Sequence, residues 1–435
     1  MTGRSVIVVA VLVTVLAPSV AGQPVIDSSV PDTVIWAGST LQFTVSAIGA
    51  NGQSVVVQTI SAPADANYRA TQGSVSIEWT PERPQIGEFL FSAQDTGGSS
   101  ELSVVVGAKG ELFRGVGGQS LADSLRAHYL PSRTLDDAAA EDSLFATVAP
   151  DQSGMVRGVY SDYAGALGSG DPGDAMRALG FVPEDIWPRE GPAAGHGFPP
   201  DLHNLFPALG TAELLRGEKP FREIPDAEAE RWIWLDMESS TVPTSEIDEY
   251  SESSPLAFEP REDRKGDVAR ALLYVSTVYA GQVDPGFLEG QLADIQYWPS
   301  GDPPSPGELR RNLLVQRIQG NINPFVLDEG LWSRLVGIVE TIEPDHVPGE
   351  SAGLDVFPVP ATDLLQVQLR SPKGPWDVAT VFDLLGRRVI ELWSGASLND
   401  AQSLTLDVSE LPPSAYLVRV SGAGWSASRL FLVAR

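Results

Sequence analysis

Glu184-Asp185-Ile186-Trp187-Pro188, Asp201-Leu202-His203-Asn204-Leu205-Phe206-Pro207, Arg216-Gly217-Glu218-Lys219-Pro220-Phe221 and Phe258-Glu259-Pro260 through Lys265-Gly266-Asp267-Val268-Ala269-Arg270 are the strings whose joint reading decides the fold of the middle of this chain. A fifth, Gln319-Gly320-Asn321-Ile322-Asn323-Pro324-Phe325, comes after them. They lie in a segment, 111–345, where helical periodicity is mixed with loops. Val268, Ala271, Leu272, Val275 and Tyr279 recur at spacings of three and four, which marks one face of a helix. Ser305-Pro306-Gly307-Glu308 reads as a capping box with Pro at the first helical position, opening a second helix through Arg317. The acidic, Ser-rich stretch from Thr241 to Pro260 reads as a solvated surface excursion.

On either side the texture turns to β. From Pro24 to about Val106, short alternating runs such as Leu41-Gln42-Phe43-Thr44-Val45 and Val75-Ser76-Ile77-Glu78-Trp79 are punctuated by Gly, Pro and Asn, the pattern of a β-sandwich. Beyond a polar linker, Leu364–Leu369, Val378–Phe382, Leu404–Val408, Tyr416–Val420 and the terminal Leu430–Arg435 again alternate or run apolar. The first residues have a different character. Arg4, the apolar run Val6–Leu16, Pro18 and the small residues Ser19, Ala21 and Gly22 keep the order of a secretory signal. The reading is therefore a multidomain chain: signal peptide 1–22, β-sandwich 23–108, α+β domain 111–345, linker 346–353 and C-terminal β-sandwich 354–435.

Composition narrows the chemistry. With no cysteine, an exported chain has neither a disulfide framework nor a thiolate nucleophile or metal ligand. A formal net charge of −28 excludes a generally basic surface and any binding of nucleic acid by bulk attraction, because phosphate neutralisation needs local Lys and Arg. Lysine is scarce (Lys109, Lys219, Lys265 and Lys373), and arginine supplies the other cations. An acidic, lysine-poor surface fits a salt-rich habitat, where ionic strength screens self-repulsion.

In their order and spacing, the five central strings resemble the endonuclease I family of secreted or periplasmic nucleases with a ββα-metal active site, over roughly 125–331. Trp79-Thr80-Pro81 and Gly87-Glu88-Phe89-Leu90-Phe91-Ser92-Ala93-Gln94-Asp95 resemble Ig-like or cadherin-like modules of bacterial surface proteins. Val356-Phe357-Pro358-Val359-Pro360, Phe382–Arg387 and Leu411–Val420 resemble the C-terminal sorting domain of the type IX secretion system, although Val359 and Ser414 depart from that family's Asn and Gly. This last resemblance implies the type IX machinery as a partner, a secreted or cell-surface location, and no membrane span once the signal is removed.

The nuclease resemblance implies particular residues. Cleaving a phosphodiester requires a base to activate water, a cation to neutralise the phosphorane and help for the leaving oxygen; one Mg²⁺ on oxygen ligands supplies the last two. Glu184 falls on the family's metal carboxylate, and Glu213 stands where a metal-binding Asn is expected. Asp185 occupies the place of the catalytic His and is a weaker base near neutrality, its ordinary pKa being about 4. Burial beside a second carboxylate would raise it. Mg²⁺ is the implied cofactor, with Ca²⁺ and Mn²⁺ as alternatives. Arg216, catalytic by position, and Lys265 and Arg270 match family cations that would meet phosphates, and Arg189 is a further substrate-binding candidate. Against this, Lys265 and Arg270 flank a helix face and would pair with Asp263 and Asp267. His203, Asn204, Asn321 and Asn323 read as structural; Ile322 replaces a family Arg, which thins the phosphate footprint. His196, in a Gly-flanked loop, is a lone solvated histidine, and His128 and His346 are bystanders.

The reading is a secreted, Mg²⁺-dependent, sequence-nonspecific endonuclease of extracellular DNA or RNA with an atypical base. Its rivals are a catalytically degenerate surface protein with a binding or adhesive role and a hydrolase of another class built on acidic pairs.

Overall fold

A computed structural model describes residues 22–335 and then 353–357, 361–370, 376–383, 388–393, 403–409, 411–412, 414–422 and 425–433. The expected signal, apart from Gly22, and the expected linker, apart from Gly353, lie outside the described residues. The chain forms two compact units, 1–340 and 341–435.

In the first unit eight strands make two four-stranded sheets. β1 (Val25–Ser28), β3 (Leu41–Ile48), β5 (Asn67–Thr71) and β6 (Ser74–Trp79) pair in the order β1-β3-β6-β5; β2 (Thr33–Trp36), β4 (Val57–Ser61), β7 (Gln85–Asp95) and β8 (Gly98–Lys109) pair as β2-β8-β7-β4. Strict alternation in β3 sends Leu41, Phe43, Val45 and Ala47 inward, where they meet the inward residues of the other sheet in one core. Phe43 and Trp79 each meet Phe89 edge to face, at 5.2 and 5.6 Å. A side chain at Gly87 would collide with the Trp79 ring at 2.7 Å, so that position tolerates only glycine.

The sandwich is joined firmly to the central segment. Arg310 grips Asp32 through two nitrogens (2.6 and 2.9 Å), Arg317 meets Glu88, and Lys109 meets Glu329 at 2.6 Å. Leu309, Val326 and Leu327 are packed by Val34 and Ile86 of the sandwich. A Cβ at Gly107 would lie 2.5 Å from Leu309, so the two parts touch closely.

The central segment is α+β. Its labelled helices are α1 (Gly118–Tyr129), α2 (Gly210–Arg216), α3 (Lys265–Val278) and α4 (Pro306–Gln319). Its strands are β9 (Met155–Arg157) with β10 (Ala164–Ala166), β11 (Phe181–Asp185) with β12 (Leu205–Leu209), and a sheet of β13 (Arg231–Trp234), β14 (Met237–Ser239), β15 (Ser251–Ser253) and β16 (Phe258–Glu259) in the order β14-β13-β15-β16. Three expectations need correction. α3 is buried all round apart from Ser276, because its polar residues Lys265, Asp267 and Arg270 are neutralised by ion pairs; it is the central helix and has no solvent face. The Ser305 hydroxyl accepts the Glu308 N–H at 3.1 Å as a cap should, but the Glu308 carboxylate turns to Arg270, so only half of the capping box forms. The stretch 241–260 is not wholly solvated: Ser251–Ser253 and 257–260 are buried as strand and strand end.

The second unit carries β17 (Gly353–Phe357), β18 (Leu364–Arg370), β19 (Trp376–Asp383), β20 (Arg388–Trp393), β21 (Ser403–Asp407), β22 (Ser414–Gly422) and β23 (Trp425–Val433), in sheets β17-β18-β21 and β20-β19-β22-β23. Leu365, Val367 and Leu406 of one sheet share a core with Ala379, Val381, Val418 and Phe431 of the other. The Tyr416 hydroxyl donates back to the Pro412 carbonyl at 2.9 Å, pinning the entry to β22.

Candidate active site

β11 and β12 are antiparallel, with Glu184 opposite Phe206 and Asp185 opposite Leu205. The period of two places Glu184 and Phe206 on one face and Asp185 on the other. The connection between the strands is fastened by Asn204. Its Oδ1 accepts the Trp187 N–H at 2.7 Å, and its Nδ2 donates to the Trp187 carbonyl (3.0 Å) and to Asp185 Oδ1 (3.1 Å). β12 runs directly into α2, where Glu213 and Arg216, three apart, share a helix face.

Glu184 is 4% exposed. Its Oε1 accepts the Tyr160 hydroxyl at 2.8 Å and faces Arg216 Nη1 at 3.3 Å; among the described residues Oε2 has no partner. Burial pushes the carboxyl up to about 7, against the pull of Arg216 and Tyr160, and the charges of Glu213 and Asp185 push the same way. Arg216 itself donates to the Asp185 carbonyl (3.2 Å) and the Ile186 carbonyl (2.6 Å), so it anchors the end of β11 while facing Glu184. Burial also raises the Asp185 carboxyl, and Arg189 opposes it by donating Nε to both of its oxygens (3.0 and 2.9 Å). Arg189 reaches Asp137 as well, at 2.7 Å.

Glu184, Asp185, Glu213, Arg216 and Arg189 are thus gathered on one hairpin and its helix. Two expected phosphate ligands are otherwise engaged. Lys265 Nζ lies among Glu223, Glu259 and Glu262 at 2.9, 2.7 and 2.6 Å, rather than beside Asp263. Those three form the group of close carboxylates suited to a cation among the described residues, and the lysine ammonium is the cation they surround. In Arg270 each of the three nitrogens already donates to protein: Nε and Nη2 to Glu308 (both 2.7 Å), Nη2 also to Asp267 (3.0 Å), and Nη1 to the Asp302 carbonyl (2.8 Å).

His203 is buried and pushed down to about 4 by that burial, with Nε2 3.3 Å from the Asn321 carbonyl. Asn321 donates to the Tyr129 carbonyl and the Tyr274 hydroxyl; Asn323 caps Phe325 and donates to the Arg270 carbonyl. His196 is exposed, His128 bonds the Ser124 carbonyl, and His346 lies outside the described residues. Two residues escape a reading of the sequence. Tyr160 holds Glu184, yet no spacing links it to the motifs. Asp201 belongs to a motif string in which nothing local gives it a role; fully buried, it accepts Tyr274, Tyr279, Gln319 and the His203 N–H within 2.7–2.8 Å.

Residues 182–329 match the family model described as Endonuclease I, and residues 355–433 that of the Secretion system C-terminal sorting domain. The chain is 30% identical over 168 residues to an extracellular ribonuclease of Bacillus amyloliquefaciens, covering 34% of this chain and 51% of that protein. It is 28% identical over 129 residues to an extracellular deoxyribonuclease of Aeromonas hydrophila (29% and 48%) and 28% identical over 187 residues to an extracellular ribonuclease of Bacillus subtilis (38% and 55%). The chain spans about half the length of each. It therefore carries an Endonuclease I domain and a C-terminal sorting domain, the mark of a secreted or cell-surface protein. No helix among the described residues is long and apolar enough to cross a membrane.

Proposed function

We propose that this chain is a secreted, metal-dependent endonuclease that hydrolyses phosphodiester bonds of DNA or RNA with little sequence preference. The observation that carries the reading is Glu184: a buried carboxylate with one oxygen held by Tyr160 and Arg216, the other without a partner among the described residues, and the charges of Glu213 and Asp185 close by. An environment that raises a carboxylate to about 7 is short of positive charge, which a hard divalent ion on Glu184 and Glu213 would provide. The donors are all oxygens, so the set fits Mg²⁺, and Ca²⁺ or Mn²⁺ as well. When bound, such an ion supplies charge neutralisation at the phosphate and the leaving oxygen. Arg216 fixes the orientation of Glu184, and Asp185 holds the base's place in the motif at the end of β11, where it would have to reach the water round the strand end from the other face. In this reading β11, β12 and α2 are the ββα-metal unit, the N-terminal sandwich is an Ig-like spacer, and the C-terminal unit addresses the chain to the type IX machinery.

The fork between Arg189 and both Asp185 oxygens favours a second reading, a catalytically silent domain retained for binding, because a carboxylate so held is a poor base. Incubating the mature chain with supercoiled plasmid or RNA, with Mg²⁺ or chelator, separates the two. Nicking that requires the metal is expected. Asp185→His should raise that rate about 10- to 100-fold near neutral pH, since imidazole is the better-matched base. No cleavage by either form in any divalent metal would overturn the nuclease reading.

Glu184 also makes stability depend on pH. Its folded-state pKa (about 7) lies above its ordinary 4.5, so the stability it contributes is complete below 4.5 and is lost as pH rises through 7. A cation that binds the ionised form reverses that loss. Mg²⁺ should therefore raise Tm more at about pH 8 than at about pH 5.5 in scanning calorimetry. Equal shifts at the two pH values would detach Glu184 from the metal.

A further inference from the structure

Between the N-terminal sandwich and the central segment lies a cavity of about 270 Å³ whose wall includes Arg157, Arg264, Arg310, Arg311, Asp32 and Phe206. In a chain with 57 acidic and 29 basic residues, four arginines around one small cavity require an explanation. Two are accounted for by the fold: Arg310 is the clamp on Asp32, and Arg157 pairs with Asp162 at 3.1 Å. The other two retain free donors. Arg311 makes no ion pair among the described residues; its Nη2 donates to the Leu202 and Leu205 carbonyls at 2.5 and 2.7 Å, while Nε and Nη1 have no partner there. Arg264 pairs with Asp267 through Nη1, but its buried Nε has no partner among the described residues. The Arg264 Nε–H, unmatched away from water, costs free energy that an anion would recover, and the half-buried Arg311 adds donors to the same cavity.

The place of this cavity ties it to the candidate active site. The Arg311 guanidinium lies 4.0 Å from the centre of the Phe206 ring, and Phe206 is the cross-strand partner of Glu184 on the same face of the hairpin. Phe206 thus stands between the two: Arg311 covers its ring from the cavity, and Glu184 lies across the hairpin from it, outside the cavity wall. Four carboxylates share the wall: Asp267 and Glu308 are paired with Arg270 and Asp32 with Arg310, while Asp151 makes no ion pair among the described residues and is held by the Ser153 N–H and hydroxyl and the Met155 N–H. Burial lowers Arg311 to about 10, against the pull of the Asp267, Glu308 and Asp201 charges.

The geometry points to this cavity as a phosphate subsite: Arg311 and Arg264 take a backbone phosphate of the polynucleotide next to the bond cut at Glu184, and the N-terminal sandwich, through Asp32, supplies one wall. The inference rests on the nuclease reading for its substrate, but its contacts are testable without catalysis. Binding of a short fluorescein-labelled oligonucleotide to the mature chain in chelator is followed by anisotropy over a range of salt. Arg311→Gln should weaken binding about tenfold and reduce the slope of log affinity against log salt by about 1, the signature of one lost phosphate contact. Met155→Glu, which adds a negative charge to the wall while keeping both arginines, should shift both in the same direction. Inorganic phosphate should displace the probe from the unmodified chain and do so less effectively from Arg311→Gln.

Unchanged affinity and slope in both variants would sink the subsite, even with cleavage intact. If Arg311→Gln does not fold, Met155→Glu decides alone. Phosphate bound more tightly than the oligonucleotide would assign the cavity to the free anion and overturn the polynucleotide part. If the slope changes as expected while no metal supports cleavage, the subsite stands and the nuclease reading falls.

Discussion

Glu184→Gln should abolish metal-dependent cleavage, by about a thousandfold or more, while leaving the protein folded at a moderate cost in stability near pH 8. The two halves of that expectation come from one environment. Glu184 is buried against Tyr160, Arg216 and Phe206, and its ionised form is disfavoured to the extent that the carboxyl titrates near 7. An amide of the same shape carries no charge to desolvate and still offers an oxygen to the Tyr160 hydroxyl, which offsets part of the cost of leaving the buried Arg216 without its counter-charge. What it cannot provide is a carboxylate for a divalent ion. Plasmid nicking, Mg²⁺ affinity by calorimetry and Tm should be measured on the same preparation. Loss of nicking together with a Tm lower by many degrees would mean that Glu184 is a structural member of the core. Nicking at the unmodified rate would move the chemistry elsewhere. The first outcome and the second are distinguishable because the substitution is nearly isosteric.

How much of this could be read from the chain depends on the range of the interactions involved. Strands with strict alternation, such as β3, were legible because side-chain period and burial follow from the backbone alone. The gathering of Glu184, Asp185 and Arg216 was legible through motif order, since a hairpin and the helix directly after it form a local unit. α3 was legible as a helix but not as the central one: the periodic positions 268, 271, 272, 275 and 279 define an apolar face, yet the opposite face is buried too, by ion pairs to residues distant in sequence. Glu308 lies 38 residues from Arg270, and Glu223 lies 42 from Lys265. No local pattern announces such partners. Lys265 and Arg270 read as phosphate ligands with pairing to Asp263 and Asp267 as the rival; in the fold Arg270 does take Asp267 and adds the distant Glu308, while Lys265 takes three glutamates instead of Asp263. Tyr160 could not be chosen over the other tyrosines because only the fold brings it, from 24 residues before Glu184, onto that carboxylate. Arg311 gave no signal either, standing beside Arg310 in a helix legible only from its cap; both line the cavity, but Arg310 is spent on clamping the sandwich through Asp32.

Arg270→Met offers the sharpest contrast between a cation that binds phosphate and one that holds the core. Arg270 is 1% exposed, and its guanidinium neutralises Glu308 and Asp267 while also donating to the Asp302 carbonyl. Removing it leaves two buried carboxylates, of which Asp267 retains Arg264 and Glu308 retains no ion pair among the described residues. Breaking a buried pair from one side costs about 3–5 kcal/mol, because the remaining charge stays desolvated. The unfolding midpoint in urea should fall accordingly at alkaline pH, and the loss should shrink as pH falls through about 8, because burial raises the Glu308 carboxyl to about 8 even beside Arg270 and its protonation removes the stranded charge. Arg270→Met combined with Glu308→Leu should recover much of the loss, since an apolar pair of similar volume needs no counter-charge. Oligonucleotide affinity of the folded fraction should hold at the unmodified value, with the same salt slope. Were stability instead unchanged and the slope reduced by about 1, Arg270 would return to the phosphate footprint, and the Glu308 pairing would have to open when nucleic acid binds.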